Sequence, residues 1–434
     1  MDIIHTMNEK HSQREHDGAT GAPAGSAVEY LPRWMADELR RAIEVTPAVV
    51  LTGARQVGKS TLLRNEVPFS RWRYLNLDDH EVLRQAREEP RELWAGAEAV
   101  VIDEAQRAPD MLMAIKREID EGQRSVRFAL SGSANLLLMG AVSETLAGRA
   151  AHLRLGPLVL GEMRGSAPPR ILQDLLAGQL PEEASGEPCD PYPFIQRGLM
   201  PGLLNADEAA ATRWWDGYAA TYLERDLRQL SQIESLTDFR RLMEAVALRS
   251  GSVLNQTDVG REIGLPQPTV HRYLNLLETS HVLTRVPGYT VSRTQRLSKR
   301  PKAYLFDTGA ASYLCGLYGV DAVSAARERG GLFESLVLQQ LTVLAGLMSP
   351  AARIHYWRTS SGSEVDLVLE RGHTLLAVEV KLTARPGFDD VTRLREFLKT
   401  YGSTAAAGVL LHTGGETIRL GERIIALPWN ALTE

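Results

Sequence analysis

The sequence predicts an α/β chain: a parallel sheet flanked by helices, then a helical region, then a smaller α/β unit. Three observations predict it. From Tyr30 to about Gly161, short apolar runs alternate with helical patterns, the mark of strand–helix–strand units. Residues 194–305 keep helical periodicity with few strand candidates. From about residue 330 a helical pattern is followed by three strand patterns, a helix and a strand. A chain of 434 residues is too long for one ordinary core, so two or three domains are expected.

Residues 1–29 are polar and Gly/Ala-rich without an apolar stretch, which reads as a disordered tail and not a signal peptide. The first domain then spans 30–164, with strands expected at 48–52, 73–77, 99–103, 126–132 and 151–158. Residues 165–193 gather Pro, Gly, Glu and Ser around one short apolar helix and read as a linker. A helical region follows at 194–305, and 306–434 form the last unit.

The formal net charge of −5 gives no global nucleic-acid signature, so any such surface must be local. Cys189 and Cys315 stand alone without zinc-ligand spacing; they argue against a disulfide framework and suit a reducing cytoplasm. No run approaches the roughly 18 apolar residues of a membrane helix.

Residues 53–61, GARQVGKST, carry the clearest chemistry. Gly53, Ala54, Arg55, Gln56, Val57, Gly58, Lys59, Ser60 and Thr61 form a Gly-x4-Gly-Lys-Ser phosphate-binding loop between an apolar strand pattern and a helix pattern. The glycines let successive N–H groups face one anion, the lysine meets the β- and γ-phosphates, and the serine hydroxyl can ligate Mg2+. This reads as a nucleotide site. AVVIDEAQ (99–106) ends a strand in two carboxylates. Asp103 would hold Mg2+ through water, and Glu104 would orient or deprotonate the attacking water. Ser131 or Ser133 would sense the γ-phosphate or simply satisfy loop backbone. Arg149 stands as a transition-state or sensor arginine, with a plain surface arginine as the rival reading. Its action within one subunit, or across a homo-oligomer, is not fixed by the sequence.

Together GARQVGKST, VVIDEAQ, LSGSANLLLMG and SETLAGR resemble an AAA-like P-loop ATPase domain of prokaryotes. The resemblance implies ATP and Mg2+ as ligands and ATP hydrolysis as the reaction. It continues through WWDGYAATYLERDLRQL, TVHRYLNLLE, SKRPKAYLFDTGAASYL and EVDLVLE…AVEVK, covering roughly residues 30–412. Those segments resemble the uncharacterised C-terminal domain usually fused to this ATPase.

Residues 239–286 parse as three helices with a turn at Gly264. Val270, Leu274 and Leu277 fall at i, i+4, i+7 and would pack inward, leaving Gln267, Thr269, His271, Arg272 and Asn275 outward. That is a winged helix-turn-helix arrangement, placed to enter a DNA major groove. The run 285–302 follows with Arg285, Arg293, Arg296, Lys299, Arg300 and Lys302 and no acidic residue, which suggests phosphate contacts. A protein-contact module with a solvated basic face is the bland alternative.

In the last region Asp366 lies on one strand and Glu379-x-Lys381 on the next. Alternation puts Glu379 and Lys381 on one face, where Asp366 can meet them. Asp366 and Glu379 could bind Mg2+ at a scissile phosphate. With Glu334 on the preceding helix, the order resembles the PD-(D/E)xK nuclease superfamily, of restriction-endonuclease-like fold. Val365 stands where that family often has proline. Two readings result: an ATPase coupled to nucleic-acid binding, DNA above all, and to cleavage; or a nucleotide-gated regulatory binder whose nuclease-like domain is inactive.

Overall fold

The computed structural model describes residues 30–122, 125–132, 145–182, 188–221 and 233–433. The expected tail and Ser133 lie outside the described residues. The first sheet contains β1 (Ala48–Thr52), β2 (Arg73–Asn76), β3 (Ala99–Asp103), β4 (Arg127–Ser131) and β5 (Ala150–Arg154). They pair in parallel in the order β2-β3-β4-β1-β5.

Parallel strands covered on both faces need continuous apolar runs, and AVVLT and AVVID supply them. Val49, Leu51, Val101 and Ala129 enter one core, whereas Ala48, Val50, Ile102 and Leu130 enter the other. The helices α1 (Met35–Val45) and α2 (Lys59–Asn65) cover the first face, and α3 (His80–Glu88) and α4 (Met111–Glu121) cover the second.

The first core continues into the rest of the chain. After α5 (Ile171–Leu176) and α6 (Glu208–Tyr218) come α7 (Leu236–Ala247), α8 (Gln256–Ile263) and α9 (Gln267–Thr279). An antiparallel ribbon of β6 (Leu283–Val286) and β7 (Lys302–Leu305) completes this region. Asn255 caps α8 by accepting from Thr257 N at 3.2 Å, and Gly264, at φ 74, ends it. Glycine adopts that left-handed cap at no steric cost, which turns the chain into α9. Val270, Leu274 and Leu277 are buried, while Gln267, His271 and Arg272 are exposed and Thr269 and Asn275 half-buried.

The last region runs α10 (Arg329–Gly346), β8 (Arg353–Arg358), β9 (Glu364–Arg371), β10 (Thr374–Lys381), α11 (Thr392–Tyr401) and β11 (Ala405–His412). The strands β12 (Ile418–Gly421) and β13 (Ile424–Pro428) extend a mixed sheet ordered β12-β13-β11-β10-β9-β8. Leu367, Leu369, Leu376 and Val378 face α10, and Val368 and Ala377 face α11.

Leu172, Leu175 and Leu176 of α5 are buried, and the helix packs on β10 and β11. The segment read as a linker is therefore partly a packed element, because its one apolar helix has an apolar sheet to cover. Leu31–Glu434 form one compact unit. Among the described residues no helix is long and apolar enough to cross a membrane.

Candidate functional site

β1 runs directly into residues 53–58, and α2 begins at Lys59. Gly53 has φ 153, and a Cβ there would lie 2.3 Å from the Leu155 carbonyl oxygen. Gly58 has φ 98, a second conformation that side chains rarely take. The buried Lys59 turns its Nζ onto Gly53 O at 3.1 Å and Ala54 O at 2.9 Å. Burial lowers this ammonium to about 8, opposed by the charges of Glu104 and Asp103. Arg55 and Gln56 are exposed, Val57 is buried, and Ser60 and Thr61 open α2 half-buried and exposed. Behind the loop, Arg33 donates to Val57 O at 2.8 Å and pairs with Glu162 at 3.1 Å. Sequence reasoning gave Arg33 no role, since nothing in the preceding segment marks its partner 129 positions on.

Asp103 ends β3, and its pairing with Asn76 and that of Ser131 with Leu51 bring four strand ends to one rim. Asp103 Oδ2 accepts from Tyr74 OH at 2.5 Å, and Ser131 Oγ donates to Oδ1. Ser131 therefore orients the carboxylate. Arg64 stacks on the Tyr74 ring at 4.3 Å. Glu104 adopts φ 56, its N–H donates to Asp103 Oδ1 at 3.1 Å, and Gln106 donates to its carboxylate. Burial raises the Glu104 carboxyl, with Gln106 and Lys59 pulling it back. A phosphate loop, an internal lysine and two carboxylates thus meet at one end of the sheet. Ser60 and Asp103 carry the oxygens there that could hold a cation.

Arg149 is not among them. Ala48 N donates to Arg149 O at 3.2 Å, which fixes this arginine at the start of β1 and β5. Five parallel residues separate it from the loop, about 16 Å along the strand. Its guanidinium pairs with Asp120 at 2.7 Å, so within one chain it does not serve the phosphate loop.

A second cluster lies in the last region. Asp366 Oδ2 accepts from Val380 N at 2.9 Å, and Glu379 pairs with Lys381 at 2.9 Å and with Arg393 at 3.3 Å. Glu379 Oε2 is buried without a partner. The unforeseen member is Lys302, only 1 % exposed at the start of β7. Its Nζ lies 3.0 Å from Glu334, 2.7 Å from Glu364 and 3.9 Å from Asp366. Tyr304 OH donates to Glu334 at 2.5 Å. Burial, then Asp366, pushes Glu334 up to about 8. The same two causes, in the same order, push Glu379 up to about 7, and burial raises Asp366. Among the described residues no group of three or more His, Cys, Asp or Glu is arranged to hold a metal ion. An ammonium already sits among three of the carboxylates, which corrects the expectation of a simple Asp366–Glu379 metal pair.

The basic run is also largely spent inside the molecule. Arg296 grips Glu370 through two bonds of 2.7 and 2.9 Å and covers the Tyr289 ring at 4.3 Å. Lys299 donates to Tyr289 O at 3.3 Å and Arg358 O at 3.2 Å. Both were expected to meet phosphates; instead they dock the ribbon onto β8 and β9. Arg293 and Arg300 stay exposed. On α9, Gln267 donates to Gln256 at 3.0 Å, His271 lies 3.3 Å from the same amide, and Arg272 pairs with Glu234 at 3.1 Å.

Residues 45–164 match the family described as AAA domain. Residues 192–321 match Domain of unknown function (DUF8612), and residues 329–432 match Domain of unknown function (DUF4143). Two relatives are the Uncharacterized protein Rv2008c of Mycobacterium tuberculosis and the Uncharacterized protein Mb2031c of Mycobacterium bovis. Each is 31 % identical over 397 residues, 91 % of this chain and 82 % of theirs. Among solved structures, the Walker-type ATPase PABY2304 of Pyrococcus abyssi is similar at a TM-score of 0.41 and 17 % identity, over 64 % of this chain and 94 % of that one. The chain belongs to one family with these two mycobacterial proteins, and its residues 45–164 are a P-loop ATPase domain of the AAA class.

Proposed function

We propose that this protein is an ATP-hydrolysing switch whose nucleotide state governs contact with nucleic acid, DNA above all. The observation that carries the reading is Lys59, buried in the mouth of a glycine-strained loop and facing Asp103 and Glu104. The same geometry fits MgATP. The loop N–H groups and Lys59 would take the phosphates, and Ser60 and Asp103 would hold the metal, which neutralises charge on the phosphates when bound. Glu104, its pKa raised by burial, would place and deprotonate the attacking water.

The helices α7 to α9 with the β6–β7 ribbon support a winged helix-turn-helix reading. Gln267, His271 and Arg272 are exposed on α9, and Arg293 and Arg300 are exposed in the segment between β6 and β7. The last sheet supports a restriction-endonuclease-like reading through its α-β-β-β-α-β order. In this reading it is a scaffold, because Lys302 supplies the positive charge that a catalytic metal would bring.

Metal-dependent cleavage is the second reading, favoured by the unpartnered Glu379 Oε2 beside Asp366 and Lys381. The test uses purified full-length protein with ATP or ADP, titrated with single- and double-stranded DNA and RNA at several salt concentrations. Salt-dependent binding that differs between the nucleotides is expected, with no cutting in Mg2+ or Mn2+. Binding indifferent to nucleotide would refute the switch, and cutting lost in Asp366→Ala would establish the second reading.

A further inference from the structure

We propose that Arg33 and Tyr218 are positioning residues for the phosphate loop, holding its carbonyls outward so that its N–H groups face the phosphates. Tyr218 comes from the helical region, so the shape of the loop depends on how that region is docked. The inference rests on reading the loop as the nucleotide site and adds what regulates it.

A loop can turn successive N–H groups toward one anion only when its carbonyls point elsewhere and are satisfied there. Lys59 Nζ takes Gly53 O and Ala54 O. Further along the loop, Arg55 O accepts from Tyr218 OH at 3.3 Å and Val57 O accepts from Arg33 Nη1 at 2.8 Å. Between those two carbonyls Gln56 takes φ 64. A left-handed conformation at a residue with a side chain is strained and persists where its surroundings impose it. The two bonds flank that residue and supply the constraint. Once Lys59 leaves its carbonyls for a phosphate, the Arg33 and Tyr218 bonds still hold the loop.

Both donors are themselves fixed. The buried Arg33 pairs through Nε with Glu162 at 3.1 Å, and its Nη2 donates to Gly156 O at 2.8 Å and Pro157 O at 3.0 Å. Glu162 accepts in turn from Trp34 N at 2.8 Å and Val159 N at 3.2 Å. In the same segment Leu160 N donates to Gln340 of α10 at 3.0 Å, so the anchor of the guanidinium is shared with the last region.

Tyr218 is buried at the end of α6. Its ring stacks on Trp214 at 5.2 Å and on Phe306, just after β7, at 5.9 Å. That stack aims the hydroxyl at the loop. A ligand that displaces α6 or the ribbon would carry Tyr218 away and release Arg55 O. By linkage, a phosphate bound in the loop favours the docked position of the helical region to the same extent.

The test compares wild type, Arg33→Lys and Tyr218→Phe in the full chain. MgATP and inorganic tripolyphosphate are titrated calorimetrically, and steady-state phosphate release is measured alongside. Arg33→Lys keeps a charge for Glu162 but loses the fork that reaches Val57 O. Tyr218→Phe keeps the stacked ring and loses only the hydroxyl. Tyr218→Phe should weaken both probes by about threefold or more and Arg33→Lys by about tenfold or more, the scales of a neutral and a charge-assisted hydrogen bond. KM for ATP should rise by the same factors while kcat changes little, because the loop holds ground state and transition state alike. The unfolding midpoint of nucleotide-free Tyr218→Phe should stay within about 2 °C of wild type; a purely structural role would lower the midpoint and leave the affinities unchanged. Tyr356→Phe, which removes a hydroxyl bond to Arg300 O, should bind both probes as wild type does. Where Arg33→Lys fails to fold, Tyr218→Phe decides alone. If wild type binds neither probe, the nucleotide reading itself fails and the positioning role with it. If wild type binds and either folded variant binds equally tightly, the positioning role alone is overturned.

Discussion

Replacing Lys302 by methionine removes one buried cation while keeping most of the side chain's volume. In the native protein its ammonium lies 2.7 Å from Glu364, 3.0 Å from Glu334 and 3.9 Å from Asp366, and the residue is 1 % exposed. Taking away one partner of a buried ion pair costs roughly 3–5 kcal/mol, because the remaining charge cannot return to water. Glu334, already pushed up to about 8, softens the loss by staying protonated at lower pH. The cost should therefore lie near the upper value at pH 8 and near the lower one at pH 6. For the compact unit Leu31–Glu434, taken as one cooperative transition of about 400 residues, the unfolding entropy is about 0.8 kcal/mol/K. The midpoint should then fall by roughly 6 °C at pH 8 and roughly 4 °C at pH 6. Scanning calorimetry of both proteins at the two pH values, with and without Mg2+, measures it. Mg2+ should restore the variant more than it stabilises wild type. An unchanged midpoint at pH 8 would refute the assignment of Lys302 as the internal counter-charge.

Other outcomes follow from the same structure. Glu334 ionises near 4.5 when free and about 8 when folded, so the folded chain binds the extra proton between those values. Its contribution is full below pH 4.5 and is lost as pH rises towards 8; denaturant midpoints of Glu334→Gln should accordingly be flatter with pH than those of wild type. Gly53→Ala would place a Cβ 2.3 Å from Leu155 O, which should abolish ATP binding and lower stability by roughly 1–3 kcal/mol, checked by titration and urea unfolding. Arg272→Glu should weaken nucleic-acid binding most at low salt, whereas Arg296→Gln, which breaks a contact to Glu370, should act on stability; gel shifts and melting curves separate the two.

The centre of the first sheet was legible because β1, β3 and β4 are almost wholly buried and therefore written as apolar runs. The phosphate loop was legible because its chemistry is contiguous in sequence. The arginine was misplaced for a geometric reason. Arg149 and Arg154 belong to the same strand segment, and only parallel pairing of Thr52 with Arg154 decides which of them stands at the loop. The basic run misled because spacing of like charges does not reveal partners: Glu370 and Glu334 come from distant elements. A signal for Lys302 did exist, since it opens the apolar strand KAYL and could not stay solvated there.

The central claim is that the loop and the acidic strand end form one ATP-hydrolysing site, and steady-state phosphate release tests it most directly. Wild type, Lys59→Ala and Glu104→Gln would be compared, with ATP affinity measured alongside. The account predicts turnover in wild type, loss of tight binding in Lys59→Ala, and retained binding with a fall of about a hundredfold or more in turnover in Glu104→Gln. Turnover at the wild-type rate in Glu104→Gln, or tight ATP binding in Lys59→Ala, would contradict it.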